Sequence, residues 1–206
     1  AENEQEGIET IKALLSFLPS NNREEAPFVA TTDSPGRYDD TLNDIIPDNP
    51  NKAYDMYHVI GSIVDDGRFL EVHKSWAKNI IVGFAHMKGR SVGIVANQPK
   101  ILAGVLDINA SRKAARFVRF CDAFNIPVVS FTNVTGFKAC TCAEKNLARE
   151  SAKLTYAFAN ATVPKVNVVI GKAFGSAYIT MNSKSIGADM VYAWPESEIG
   201  MMDAGL

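Results

Sequence analysis

Apolar residues near the start of the chain recur at helical spacing. Ile8, Ile11, Leu14, Leu15 and Leu18 share one face, and Pro19 stops the run. From Pro19 to Pro50 the periodicity disappears. Pro27, Pro35, Pro47 and Pro50 stand among many Asp, Asn and Ser, a pattern that predicts an irregular linker pinned to a surface. A second helical stripe follows in Ala53, Met56, Tyr57, Ile60, Ile63 and Val64, ending near Gly67. Residues 80–87 and 91–96 are β-rich runs joined at Lys88-Gly89, the spacing of a hairpin.

Beyond the hairpin the pattern alternates. Residues 109–124 place Ala114, Phe117, Val118, Cys121 and Phe124 on one helical face, with Asn109 or Ser111 as the N-cap, and residues 128–131 form a short apolar strand. Thr141-x-x-Glu144 reads as a capping box opening a helix whose inner face is Leu147, Ser151, Leu154, Phe158 and Ala161. Strand 166–170, helix 177–186 and strand 190–194 complete the series, which predicts an α/β domain. The chain ends at Gly205-Leu206, where the next element of such a series is expected, so the terminus reads as truncated.

With 206 residues, 47% of them hydrophobic, the chain can bury one large core. A formal charge of −2, with Lys and Arg scattered, offers no footprint for nucleic acid. No apolar run approaches the length of a membrane span, and the acidic start Glu2, Glu4, Glu6 is opposite to a signal peptide, so a cytoplasmic protein is expected. Cys121, Cys140 and Cys142 lack the spacing of a disulfide framework or a zinc site. Reduced thiols and no metal are the expectation.

Two segments could carry chemistry. In Gly171-Lys172-Ala173-Phe174-Gly175-Ser176-Ala177, between a buried strand and a helix, the position of Lys172 rules out a phosphate-binding P-loop. Small residues at Gly175, Ser176 and Ala177 would admit a ligand to the main chain, and free N–H groups at a helix start can hold a developing negative oxygen. The same residues would equally serve close helix–strand packing. The loop Thr132-Asn133-Val134-Thr135-Gly136-Phe137 follows another buried strand, where α/β sheets dock ligands. Gly136 permits close approach and Phe137 offers a flat apolar face, or the loop is an ordinary turn with a core phenylalanine. His58, His73 and His86 assemble into no catalytic order. Asp65-Asp66 and Glu196-x-Glu198 read as solvated turn carboxylates, and Cys140-Thr141-Cys142 lacks an activating partner.

Longer stretches carry a resemblance. Ala53-Tyr54-Asp55-Met56, residues 77–85, residues 92–100, Leu106-Asp107-Ile108-Asn109, residues 115–127, Tyr156-Ala157-Phe158-Ala159 and Ala161-Thr162-Val163-Pro164-Lys165 resemble the carboxyltransferase β subunits of biotin-dependent propionyl-CoA and acetyl-CoA carboxylases. They also resemble the related carboxyltransferase subunits of sodium-pumping methylmalonyl-CoA-type decarboxylases. The resemblance implies a crotonase-like (ClpP/crotonase) ββα superhelix. On that basis residues 1–50 are a linker with a short helix, and residues 51–206 are a C-terminal carboxyltransferase domain truncated at its end.

The resemblance further implies the chemistry. In such proteins two crotonase-like halves share an active site within a hexameric ring, so a lone second half is expected to be inactive. The N-terminal half, the biotin carboxyl carrier protein and the biotin carboxylase subunit would be its partners, and an acyl-CoA its substrate. The backbone amides of Ser176 and Ala177 would hold the ureido oxygen of carboxybiotin, with Gly136, Phe137, Gly175 and Tyr178 around the biotin and no side-chain acid or base.

Three departures from the family pattern stand out. Asn133-Val134-Thr135-Gly136-Phe137 replaces Asp-Val-Pro-Gly-Phe, and the loop after it is about one residue shorter. Gly175-Ser176-Ala177-Tyr178-Ile179 replaces Gly-Gly-Ala-Tyr-Asp, and its last position is associated with acyl-chain choice, so Ile179 makes the pocket less polar. These changes point toward the decarboxylase branch. A scaffold half that makes no catalytic contact is the competing class, and it predicts an occluded space between the two loops. A biotin-free hydratase is disfavoured by the lack of a glutamate pair near the Gly-Ser-Ala turn.

Overall fold

Side-chain alternation along the strands sorts the core into two layers. The computed structural model describes residues 3–47, 49 and 52–203, with the backbone alone for Cys142. The proposed domain boundary at 50/51 and the end at Gly205-Leu206 lie outside the described residues. Seven strands form one sheet: β1 (Phe69–Glu71), β2 (Ile80–Met87), β3 (Arg90–Asn97), β4 (Val128–Val134), β5 (Lys165–Phe174), β6 (Met190–Ala193) and β7 (Glu198–Gly200). The first six lie in sequence order. β1, β2 and β3 pair antiparallel, β3 through β6 pair parallel, and β7 pairs parallel with the end of β5.

On β2, Ile80, Val82 and Phe84 enter one apolar layer while Ile81 and Ala85 enter the other, as a period of two requires. The second layer is closed by α2 (Met56–Ile63), through Met56, Val59 and Ile60. On the first layer lie α3 (Ile108–Ala123) and, after the single turn α4 (Thr141–Glu144), α5 (Leu147–Asn160) and the short α6 (Gly175–Thr180). Helix α1 (Glu4–Leu15) packs beside them. Its residues are not buried, but the following Phe17 joins the core and stacks on His86 at 4.5 Å. Residues 19–47 run irregularly over the surface, as expected, with one 3-10 turn at Asp40–Asp44.

The hairpin falls where Lys88-Gly89 predicts. Both residues have positive φ (52° and 74°), the requirement of a tight primed turn, and the Asp65 carboxylate accepts both amides at 2.9 and 2.7 Å. Asp65 is therefore a turn-former, as its sequence context suggests.

Several boundaries move. The N-cap of α3 is Asp107, not Asn109 or Ser111; its carboxylate accepts Ala110 N–H at 2.8 Å and Asn79 Nδ2 at 3.3 Å. Thr141 is not an N-cap but the first residue of α4, behind Cys140, and α5 starts afresh after Asn146. Its buried face holds Leu154 and Phe158 as expected, but Glu150 and Ala157 take the places read for Leu147 and Ser151. The helix expected at 177–186 spans only Gly175–Thr180, followed by a 3-10 turn at Lys184–Ile186. β1 and β7 escape periodicity because three residues hold too little alternation to register. Cys121 is a free, buried thiol, whereas Cys140 is disulfide-bonded, correcting the expectation of three reduced cysteines. The spacing rules exclude a disulfide framework but do not weigh a single bond.

Buried charges tie the layers together. Lys113 on α3 is 1% exposed and donates to the carbonyls of Trp76 (2.9 Å) and Ile80 (2.8 Å), fixing the approach to β2. Lys165 caps the end of α5 through the carbonyls of Phe158 (3.0 Å) and Ala161 (2.6 Å), where the helix dipole favours a cation. Glu150 binds Arg112 of α3 and Lys153, each at 2.8 Å, and these hydrogen bonds hold its carboxyl down at about 2.

A carboxyl pKa lowered by folding stabilises the protein above the unfolded value and loses that contribution as pH falls through the folded one. Glu150→Gln is therefore expected to lower the urea midpoint at neutral pH. The gap to wild type should narrow from about pH 4.5 downward and close near pH 2.

Candidate functional site

The carboxyl ends of β4 and β5 are shaped by a slip in register. Thr132 pairs with Val169, but Val134 pairs with Ala173, so Ile170, Gly171 and Lys172 stand opposite Asn133 alone. Asn133 fills the gap with its side chain. Its Oδ1 accepts Lys172 N–H at 2.6 Å, and its own N–H donates to Asn97 Oδ1 at 3.1 Å, which joins the ends of β3, β4 and β5. Gly171 makes room for it: a Cβ there would stand 2.5 Å from Asn133 Oδ1. Both strands thus run further than the apolar periodicity indicates, taking in residues read as loop at 132–134 and as turn at 171–174.

Past the slip, the two predicted segments leave the sheet side by side. Gly136 and Gly175 each lie two residues beyond the paired Val134 and Ala173, and neighbouring strands sit about 4.8 Å apart. The loop after β4 is held rather than loose. Leu106 N–H donates to Gly136 O (3.0 Å), and Lys138 N–H donates to Leu106 O (2.8 Å). A Cβ at Gly136 would meet nothing within 4 Å, so its backbone faces open space. Phe137 is half-buried against the helical-side core.

After β5, Gly175 takes the left-handed region (φ 58°), and a Cβ there would lie 3.1 Å from Met201 O. It turns the chain directly into α6, whose first-turn amides include those of Ser176 and Ala177 and have no partner inside the helix. Ser176 is exposed and small, Ala177 is buried, and Tyr178 is half-buried against the same core as Phe137, which raises its phenol pKa. Ile179 is 41% exposed.

A cleft of about 530 Å³ opens beside this edge, lined in part by Tyr54, Asn133, Thr135, Gly171 and Lys172. Ser176, Ala177 and Phe137 do not line it. The Tyr54 hydroxyl is buried and has no hydrogen-bond partner among the described residues. Sequence reasoning missed Tyr54 and the bridging role of Asn133, because neither belongs to a catalytic spacing. Lys172, which follows the slip, pairs with Asp203 at 2.8 Å and has its pKa raised by that carboxylate. The histidines stay apart: His86 packs on Phe17 with its pKa lowered by burial, and His73 lies edge-on to Trp76. Among the described residues no group of three or more His, Cys, Asp or Glu could hold a metal ion.

The sequence matches the carboxyl transferase domain over residues 1–205. The chain belongs to the carboxyl transferase family. It is 55% identical over 203 residues to the methylmalonyl-CoA decarboxylase subunit alpha of Veillonella parvula, covering 98% of this chain and 40% of that protein. It is 48% identical over 212 residues to the biotin-dependent acetyl-/propionyl-coenzyme A carboxylase beta5 subunit of Mycobacterium tuberculosis, covering 99% of this chain and 38% of that one. The crystal structure of the transcarboxylase 12S hexamer with hydrolysed methylmalonyl-coenzyme A superposes with a TM-score of 0.95 at 49% identity, covering 98% of this chain and 40% of that one. The crotonase-like carboxyltransferase fold implied by the sequence resemblance is thus the fold observed. The chain spans about two fifths of the length of these relatives.

The geometry assigns Asn133 a structural duty that is separable from chemistry. Asn133→Ala is expected to destabilise the chain by about 1–3 kcal/mol in urea unfolding, because the Lys172 amide loses its acceptor while the main-chain bond to Asn97 remains. Asn133→Asp keeps the acceptor and should cost less.

Proposed function

We propose that this chain supplies the carboxybiotin-side half of a biotin-dependent acyl-CoA carboxyltransferase. It would move carboxylate between carboxybiotin on a carrier protein and an acyl-CoA of the propionyl or acetyl type. The observation that supports this reading most directly is the β4–β5 register, through which the Gly136-Phe137 loop and the Gly175-Ser176-Ala177 turn emerge next to each other at one sheet edge.

The residues present suit the ureido ring of biotin. Main chain is open at Gly136, small residues surround the amides at Ser176 and Ala177, and Phe137 and Tyr178 pack on a common apolar base. Carboxybiotin, when bound, supplies the carboxylate and then the base. This chain's part is to direct the Ser176 and Ala177 amides at the ureido oxygen, where negative charge develops, and to keep water from it with apolar walls. No side-chain acid or base is needed, consistent with three histidines that share no site. Ser176, Ala177 and Phe137 do not line the neighbouring 530 Å³ cleft, which lends the oxyanion role no support; that role requires a site completed by a second carboxyltransferase half. The biotin carboxyl carrier protein, the biotin carboxylase subunit and a hexameric ring in the cytoplasm complete the proposed setting.

A second direction of the same reaction is favoured by Ile179 and by the 55% identity to a methylmalonyl-CoA decarboxylase subunit. An apolar side chain, 41% exposed at the turn, takes the place of the family's Asp. In that direction the chain would help remove carboxylate from a methylmalonyl-type thioester. Comparing rates with methylmalonyl-CoA and with propionyl-CoA plus carboxybiotin distinguishes the two.

The decisive assay is acyl-CoA-dependent transfer from carboxybiotin by this chain assembled with an N-terminal carboxyltransferase half. Ala177→Pro, which deletes one amide, is expected to lower kcat by about 10²–10³ with assembly intact. Ser176→Ala keeps its amide and should leave kcat unchanged. Full transfer by Ala177→Pro would remove the oxyanion role and leave this half as scaffold. In the same assay, Ile179→Asp is expected to lower kcat/KM for the longer acyl chain by about tenfold relative to the shorter one, as loss of an apolar contact does.

A further inference from the structure

A pocket of about 190 Å³ lies where α1, the end of β1 and α3 meet. Its apolar walls are Leu14 from α1, Val72 just after β1, Phe84 from β2, and Phe117 and Phe120 from α3. Lys113, Arg116 and His73 complete the lining, so every polar side chain at the pocket is one that can carry positive charge. The pocket shares no residue with the 530 Å³ cleft or with the turns at Gly136 and Gly175.

The walls hold one another open. Phe84 packs on Phe117 with ring centroids 5.0 Å apart and on Phe120 at 6.0 Å, and Phe120 packs in turn on Phe124 at 4.8 Å. Rings braced in this way resist closing the space between them. Lys113 does not fill it either. Its ammonium is drawn to the carbonyls of Trp76 (2.9 Å) and Ile80 (2.8 Å), which leaves only the alkyl stem along the wall. An apolar void of about 150 Å³ stays dry and takes up a six-carbon ring, so a pocket of this size matches a tail of about six to eight carbons.

The charge around the pocket is unbalanced. Glu71, 4.0 Å from Lys113 Nζ, offsets the buried lysine. Arg116, one helical turn on from Lys113, is exposed at the rim and has no ion-pair partner among the described residues. One uncompensated guanidinium above an apolar pocket suits a carboxylate on a short apolar tail. The tail enters, and the planar guanidinium can meet both carboxylate oxygens outside.

We infer that this pocket binds a free aliphatic carboxylate of about six to eight carbons, its tail against Phe84, Phe117 and Phe120 and its carboxylate on Arg116. The site is separate from the proposed carboxyl-transfer site, and its occupancy is read without any transfer reaction.

Isothermal titration calorimetry of the chain with butyrate, hexanoate, octanoate and dodecanoate tests this, with octanol as the uncharged counterpart of octanoate. The dissociation constant is expected to fall about fourfold for each added methylene up to octanoate, as burying a methylene requires, and to level off by dodecanoate, which outgrows the pocket. Octanoate should bind about tenfold more tightly than octanol. Arg116→Gln should abolish that difference while leaving the octanol constant unchanged. Val72→Phe, which occupies the space from the β1 side, should weaken octanoate about tenfold or more. Melting curves check that each variant is folded, and Arg116 is exposed, so its variant decides even where Val72→Phe does not fold. No saturable octanoate binding, an affinity independent of chain length, an Arg116→Gln variant that keeps the preference for octanoate, or a folded Val72→Phe variant that binds like wild type would each overturn the assignment.

Discussion

The arrangement of the site rests on one side chain filling a gap between two parallel strands. The register slip between β4 and β5 would leave the Lys172 amide without a ladder partner, and Asn133 takes the place of the absent backbone acceptor. Because its own N–H also reaches Asn97, the ends of three strands are held in one hydrogen-bonded set. The loops that follow start from fixed points. Gly171 belongs to the same constraint, since a methyl group there would occupy the space of the Asn133 carboxamide.

Burial on both faces of the sheet supplies the rigidity behind this edge. Helices α3, α5 and α6 cover one face and α2 the other, so the hairpin and the parallel strands lie between two apolar layers. The charged groups inside are satisfied in ways that also set geometry. Lys113 fixes the chain entering β2, Lys165 ends α5 where β5 begins, and the Arg112–Glu150–Lys153 cluster couples α3 to α5. The Gly136 and Gly175 edge offers main chain and small residues, and the proposed hold on a negative oxygen rests on these.

Local pattern in the sequence was sufficient for the α/β class, the Lys88-Gly89 hairpin, the helical face of α3 and the Gly-Ser-Ala turn, because each depends on residues close together in the chain. Extended matches such as residues 77–85 and 115–127 added the family. What periodicity could not reach depends on contacts distant in sequence. Asp107 displaces Asn109 and Ser111 as the cap of α3 while also bonding to Asn79, and β1 and β7 exist only because β2 and β5 offer edges to pair with. The bridging role of Asn133 and the unpartnered Tyr54 hydroxyl are of the same kind. A polar side chain states its own capacity for hydrogen bonds, but which groups it meets is decided only when the strands are laid side by side.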